Sequence, residues 1–303
     1  MSILVNTAGR FFASKPRRPI PTNKMCAPLE NWRNVPSNYS GRSHFGPSSD
    51  SESAAGGGVS GNIDDDSATH KVKPFDMAYS PVNPFQMNQY VIACTRTRQA
   101  AIIDCGASTS QELNAFLTWI SDSHYKLSAI WQTHAHLDHI AGLGILTNTS
   151  GLDEYSNIPI YLHERDRGIY NNFENRCKDF GFQVEGNSLP PPDTQLNFFD
   201  DDTKQLSLGE LRFDIIPTPG HCPGQVGFLL ESQNTRIFFG GDFIMQGSIG
   251  RTDFHESNVM HMESSIQRFI ATQHDDTIIY PGHGQPTTLK QEKQSNPFLT
   301  PFV

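Results

Sequence analysis

The stretch Thr133-His134-Ala135-His136-Leu137-Asp138-His139 decides how this chain is interpreted. It places three imidazoles and one carboxylate, all able to bind a metal, within six residues. The first two histidines alternate at i and i+2, as residues on one side of a strand end do, whereas a helix aligns i with i+3 or i+4. The preceding residues, 127–132, are typical of a buried strand. The sequence therefore predicts a strand that ends and presents metal ligands in the following loop.

Three later segments repeat this arrangement, because each is an apolar strand followed at once by one potential ligand. The strands and ligands are 213–217 with His221, 236–239 with Asp242, and 277–280 with His283. A glycine beside each ligand lets the backbone turn sharply or approach closely. Ligand sites gather beyond the carboxyl ends of strands in layered α/β folds. Each motif alone is a weak signal, but the four in this order indicate one metal centre.

In this order the motifs resemble those of the metallo-β-lactamase superfamily, and the resemblance covers about residues 74–303. Within it the likeness is to the glyoxalase II-like hydrolases (hydroxyacylglutathione hydrolases), in particular the short bacterial-type enzymes. The stretches that carry this likeness are 82–88, 218–224, 247–253, 281–284 and 294–298. The resemblance implies a four-layer αββα sandwich. Hydrophobic periodicity alone predicts only an α/β fold, with a hairpin over 89–104, a helix capped by Thr109 and Glu112, and a helix from about Ser257.

The resemblance also implies how the potential ligands are divided. One metal is expected on His134, His136 and His221, a second on Asp138, His139 and His283, with Asp242 as the bridge between them. The expected cofactors are therefore two divalent metal ions, with a hydroxide between them as nucleophile. Zinc is the first expectation, although iron and manganese also suit imidazole and carboxylate ligands. Asp138 and Asp242 are the expected catalytic carboxylates.

The expected reaction is hydrolysis of a thioester, with S-D-lactoylglutathione or a related hydroxyacylglutathione as the small-molecule partner. The motifs contain no obvious general acid, which an amine leaving group needs, whereas a thiolate hardly does because a thiol has a pKa of about 8.5. Arg251 is a candidate for binding a substrate carboxylate, and the alternative is an ion pair with Asp253. The β-lactam-hydrolysing relatives generally carry Cys where this chain has Asp242, which argues against a lactamase.

Three alternatives stay open at this point. Persulfide dioxygenases share this fold but bind one iron, which by resemblance uses His134, His221 and Asp242 and leaves the other ligands idle. A protein that keeps the fold without catalysis is the second, although all seven ligand positions are intact. The long glyoxalase II enzymes add a helical C-terminal domain that grips glutathione. Because this chain ends 20 residues after His283, we expect that grip to be absent, so a metallo-hydrolase of another small molecule is the third.

The composition separates the chain into two parts. Residues 1–70 have few apolar runs and predict a disordered extension, whereas 71–303 suffice for one sizeable hydrolase domain. The first 29 residues hold five Lys or Arg and no acidic residue, which favours a transit peptide and a mitochondrial location, with plastid or cytoplasm as alternatives.

The charge and the cysteines exclude other classes of function. The formal net charge is −9, and no basic cluster could follow a phosphate backbone, so nucleic acid is not an expected partner. No apolar stretch reaches about 18 residues, so no membrane is expected either. Five scattered cysteines without a C-x-x-C pair indicate a reducing compartment. The oligomeric state stays open.

Overall fold

The computed structural model of the chain describes residues 73–148, 152–233 and 235–303. The predicted extension, residues 1–70, and its transit peptide lie outside these ranges, so both remain predictions, as does the boundary of the hydrolase domain. Within the described ranges, no helix is both long enough and apolar enough to cross a bilayer.

The first sheet is formed by strands that lie side by side in the order of the sequence. They are β1 (Phe75–Val82), β2 (Met87–Cys94), β3 (Gln99–Ile103), β4 (Lys126–Trp131), β5 (Ile160–His163) and β6 (Asn197–Phe199). The first three pair antiparallel, and β3 to β6 pair parallel. The predicted hairpin is β2 with β3, and the predicted buried strand before the histidines is β4, so both predictions are confirmed.

The second sheet follows along the chain. Its strands are β7 (Gln205–Leu208), β8 (Leu211–Pro217), β9 (Val226–Ser232), β10 (Thr235–Gly241), β13 (Ile278–Pro281) and β14 (Thr287–Thr288), in the spatial order β14-β13-β10-β9-β8-β7. Among the described residues of this sheet, β10 and β13 pair parallel and the other neighbours pair antiparallel. A short ribbon of β11 (Ile244–Met245) and β12 (Ser248–Ile249) follows β10. The strands predicted before His221, Asp242 and His283 are β8, β10 and β13.

Helices flank the sheets. They are α1 (Ser110–Asp122), α2 (Leu137–Ile140), α3 (Gly142–Asn148), α4 (Arg167–Asn171), α5 (Phe173–Phe180), α6 (Val259–Thr272) and α7 (Leu289–Ser295). The predicted capping box is present, since the Thr109 side chain accepts from the backbone N–H of Glu112 and the Glu112 carboxylate accepts from that of Thr109. The helix predicted from about Ser257 is α6, which buries Met262, Ile266 and Phe269, whereas Val259 at its first residue is exposed.

Three separate apolar cores show how these elements are layered. One contains Val91 of β2 and Phe116 of α1, and thus lies between the first sheet and its helices. The second contains Tyr90 of β2 and Phe239 of β10, and thus lies between the two sheets. The third contains Phe238 of β10 and residues of α6 and α7. Adjacent residues of one strand enter different cores because side chains alternate across a sheet. The four-layer αββα sandwich is confirmed.

Candidate metal centre

All seven predicted ligands lie together where strands of both sheets end. His134 and His136 follow β4, and the loops after β8, β10 and β13 carry His221, Asp242 and His283. Their potential ligand atoms form a first group of His134, His136, His221 and Cys222 and a second group of Asp138, His139 and His283. A set between them consists of His134, His139 and Asp242, and the atoms of each lie within 4.8 Å of one another. The structure thus brings the seven together and adds a thiol.

The local geometry of the first motif differs from the prediction. Strand β4 ends at Trp131, and residues Leu137–Ile140 form the short helix α2. Asp138 and His139 therefore lie in a helical turn rather than in an extended loop. The turn forms because the backbone N–H of His139 donates to the carbonyl of His136 at 3.0 Å, and both Asp138 and His139 then lie in one ligand group with His283.

The imidazoles of the first group face one another closely. His136 Nδ1 lies 2.7 Å from His221 Nε2. His221 Nδ1 points outward and lies 2.8 Å from the carbonyl oxygen of Arg251, which can only accept, so His221 carries its hydrogen there and turns a lone pair inward. His136 Nε2 likewise points outward, 3.1 Å from a carboxylate oxygen of Glu256. Two inward nitrogens this close suit a shared cation.

The second group contains a carboxylate of its own. His283 Nε2 lies 3.2 Å from Asp138 Oδ2, and His139 Nε2 lies 3.9 Å from the same oxygen. The outward nitrogen of His283 is 3.2 Å from the carbonyl oxygen of Phe85. The outward nitrogen of His139 is 2.9 Å from Asp104 Oδ2. Here too, acceptors outside the group hold the hydrogens, and the inward nitrogens are left for a ligand.

Asp242 lies between the two groups. Its Oδ2 is 3.5 Å from His221 Nε2 and 3.6 Å from His283 Nε2, and its Oδ1 is 3.5 Å from His139 Nε2. Gly282 allows this arrangement, since a Cβ there would meet Asp242 Oδ1 at 2.3 Å. One carboxylate therefore reaches histidines of both groups.

Buried polar atoms without partners test whether a metal fits. Within the described part of the chain, His134 Nε2, His139 Nε2 and Asp242 Oδ1 are buried and have no hydrogen-bond partner. Leaving such atoms unpaired costs about 1–3 kcal/mol each. All three belong to the set between the first and second groups. The outward nitrogens of His134 and His139 already have hydrogen-bond partners, so the inward atoms are left for a ligand. A cation is the ligand that these inward lone pairs fit.

The electrostatics of the site arise from burial and from charge pairing. Burial lowers the pKa of His221 to about 4, and burial also lowers the pKa of His134 well below its usual value. Burial acts on His139 in the same direction, but the carboxylates of Asp138, Asp104 and Asp242 outweigh it and hold the pKa of His139 well above 6.5. Burial would raise the pKa of Asp242, but the charges of His283 and His139 hold it well below 3.8.

Three residues that lie beside the outward nitrogens of the ligand histidines were not predicted from the sequence. Asp104 accepts from His139 Nδ1, from the Thr133 hydroxyl at 2.8 Å and from the Thr133 backbone N–H at 2.7 Å. The Thr133 hydroxyl thereby donates to Asp104 and accepts from His134 Nδ1, 3.0 Å away. Glu256 is the third. Asp104 was detectable, because it follows β3 as the predicted ligands follow their strands.

Two more buried polar residues hold the ligand loops. The Asn88 side chain donates to the carbonyls of Pro281 at 3.0 Å and Gly284 at 2.8 Å, which positions the loop of His283. The Asp166 carboxylate accepts from the backbone N–H groups of Ala135 at 3.1 Å and Gly224 at 2.6 Å. Burial raises the pKa of Asp166 to about 6. Asp166 thus connects a loop of the first sheet to a loop of the second.

Arg251 is placed beside the site but turned outward. Its guanidinium forms two bonds to Asp253, at 2.9 and 3.0 Å, and lies over the Phe254 ring, 4.4 Å from its centroid. This is the ion pair considered as the alternative. A substrate carboxylate would compete with Asp253 for this guanidinium, and substrate binding by Arg251 remains a prediction.

Aromatic rings border the ligands on two sides. The Phe254 ring centroid lies 5.2 Å from that of His136 and 5.8 Å from that of His221. On the other side, Phe85, whose carbonyl faces His283, packs against Phe182 at 5.2 Å. The Phe254 ring limits the access of water beside His136 and His221, which strengthens electrostatic interactions there. Phe85, by contrast, is 40% exposed.

The comparisons with known proteins agree with this site. A family model described as the metallo-beta-lactamase superfamily matches residues 82–283. The chain belongs to this superfamily. Members of the superfamily bind divalent metals, and this chain carries the matching cluster of His, Asp and Cys.

One curated relative and two solved structures illustrate the range of the family. Hydroxyacylglutathione hydrolase GloC of Haemophilus influenzae is 33% identical over 219 residues, which are 72% of this chain and 95% of GloC. The BLEG-1 B3 metallo-beta-lactamase has a TM-score of 0.59 at 29% identity, covering 74% of this chain and 99% of its own. A di-iron-bound form of TTHA1623 has a TM-score of 0.58 at 28% identity, covering 72% and 99%. The superfamily supports a hydrolase-type enzyme.

Proposed function

We propose that this protein is a two-metal hydrolase that cleaves S-D-lactoylglutathione or a related hydroxyacylglutathione to the acid and glutathione. The observation that carries the proposal is the position of Asp242, whose two oxygens lie about equally far from histidines of both ligand groups. The similarity to GloC supports the substrate class.

The residues for each cation follow from the inward-facing atoms. His134, His136 and His221 would hold one cation, Asp138, His139 and His283 the other, and Asp242 both. Bound divalent cations supply Lewis acidity and lower the pKa of a water ligand from about 15.7 to about 7. Zinc is our proposal, and iron is the alternative.

The carboxylates act as ligands rather than as proton acceptors. An efficient general base has a pKa near the working pH. The pKa of Asp242 is held well below 3.8, and the pKa of Asp138 is also lowered, because His139 and His283 outweigh its burial. Both therefore stay ionised and contribute negative charge where cations bind. Asp104 keeps a hydrogen of His139 on the outward nitrogen.

The purified full-length protein, loaded separately with zinc, iron(II) or manganese, tests the proposal through thiol release from S-D-lactoylglutathione. We expect two metals per chain and turnover within the usual enzymatic range of about 1–10³ per second. Oxygen uptake with glutathione persulfide, or hydrolysis of a β-lactam, measured in parallel without thioester cleavage would replace this proposal by the corresponding activity.

A further inference from the structure

His136 differs from the other histidines of the cluster in the nitrogen that it turns inward. Its Nδ1 faces His221, whereas His134, His139, His221 and His283 each turn Nε2 inward. With Nδ1 inward, the outward Nε2 of His136 needs its own acceptor. Two candidates are in reach: Glu256 Oε1 at 3.1 Å and Cys222 Sγ at 3.3 Å.

The carboxylate is the stronger of the two acceptors. A charge-assisted bond is roughly twice as strong as a neutral one, and a thiol sulfur accepts only weakly. Glu256 is also held in place, because Oε1 accepts from Arg176 Nη2 at 2.5 Å. The side chains of Glu256 and Arg176 are only 14% and 18% exposed. The ring of Phe254 lies beside both His136 and Arg176.

We propose that Glu256 is a positioning residue, which fixes His136 with its hydrogen on Nε2 and its Nδ1 lone pair toward the metal, and that Arg176 anchors Glu256. This inference rests on the metal centre of the proposed function but not on its substrate. Acceptors of this kind orient metal-binding histidines and increase their basicity.

The arrangement connects three parts of the chain. Arg176 lies on α5, Glu256 lies in the loop before α6, and His136 precedes α2. Glu256 is 120 residues from His136 and 80 from Arg176 along the chain, so only the folded sandwich assembles this contact. His136 is thereby connected to the loop before α6 and, through Glu256, to α5.

The test measures zinc affinity by competition with a chelator in the full-length protein and its variants. In Glu256→Ala we expect the affinity of one zinc to fall about 10–100-fold. Glu256→Gln should fall less, because its amide oxygen still accepts but carries no charge. Glu174→Gln is the matched control: it removes an exposed carboxylate on α5 that pairs with Lys178, and its zinc affinity should equal that of the wild type.

A spectroscopic measurement separates positioning from general destabilisation. In the zinc-loaded wild type, nitrogen-15 NMR should show a hydrogen-bonded Nε2–H on His136, and Glu256→Ala should shift or lose that signal. The metal-free melting temperature should fall as well, because Arg176 loses its nearly buried partner, whereas the Nε2–H signal reports on His136 alone. Wild-type zinc affinity and an unchanged Nε2–H signal in Glu256→Ala would refute the positioning role. If the wild type binds two zinc ions but cleaves no thioester, the proposed substrate fails and the role of Glu256 stands.

Discussion

The two ligand groups are joined by Asp242 but differ in burial and charge. The first consists of imidazoles that are almost fully buried, His134, His136 and His221. The second, by contrast, has its own carboxylate, Asp138, and the side chain of His283 is 26% exposed. The centre therefore combines a buried site made of histidines with a more exposed site that includes a carboxylate.

The pKa values of the histidines follow this difference. Burial lowers those of His134 and His221, so both offer neutral nitrogens at physiological pH. Burial acts alike on His139 and His283, but neighbouring carboxylates outweigh it and raise their pKa values. A cation must therefore displace protons from the second group but not from these two histidines of the first. We expect the first site to load before the second.

The largest effect is expected from removing the shared charge. Asp242→Asn keeps the shape but takes away the negative charge that lets two cations lie close together. We predict loss of at least one metal and a fall in activity beyond the about 10–100-fold typical of a ligand's hydrogen-bond partner. Metal analysis and thiol release check this. Asp275→Asn, an exposed change of equal charge, is the control. Two retained metals with normal turnover would show that the two groups do not share Asp242.

A smaller and unequal effect is expected from Asp104→Asn. The amide would face the hydrogens of Thr133 and His139 with a donor of its own, so His139 loses its acceptor directly and His134 only through Thr133. We predict an about 10–100-fold loss of affinity at the second site and less at the first. Stepwise removal of the metals with a chelator measures both. Equal losses would contradict the separation of the groups.

The pH dependence of stability should change sign with metal. Without metal, the raised pKa values of His139 and His283 stabilise the fold below the unfolded value of about 6.5. That stability is lost as the pH rises through their folded values. The lowered pKa values of His134 and His221 affect stability only below about 6.5. The melting temperature of the metal-free protein should therefore fall between neutral and alkaline pH. With zinc it should rise, since binding releases protons. Parallel slopes would show that protons and metal do not compete.

Much of the site was predictable because the ligands follow strands in a recurrent order. All seven predicted ligands lie together, although their role as ligands stays a prediction until metal is measured. The helix α2 was not predictable, since Leu137–Ile140 is a single turn with too few residues for a periodic signal. Glu256 was hidden for another reason: its partners are remote in sequence, and no local pattern marks a loop carboxylate.

The outer edge of the site supplies the smallest predicted effect. Asp253 competes with a substrate carboxylate for Arg251, and that exposed pair is worth about 0.2–1 kcal/mol. Arg251→Ala should raise KM a few-fold and change kcat less, the pattern of lost uniform binding. The backbone carbonyl that holds His221 is retained in this variant, so metal content should not change.

Asp253→Asn distinguishes the two roles of Arg251. If the guanidinium binds substrate, freeing it from Asp253 should leave KM unchanged or lower it, while Arg251→Ala raises it. If the pair only shapes the loop, both variants break the same contact and should raise KM alike, and the double variant should add nothing further. Steady-state kinetics of the two single variants and the double variant decide between these outcomes. Opposite shifts in KM would extend the site from its metal groups to this edge, and equal shifts would confine it to them.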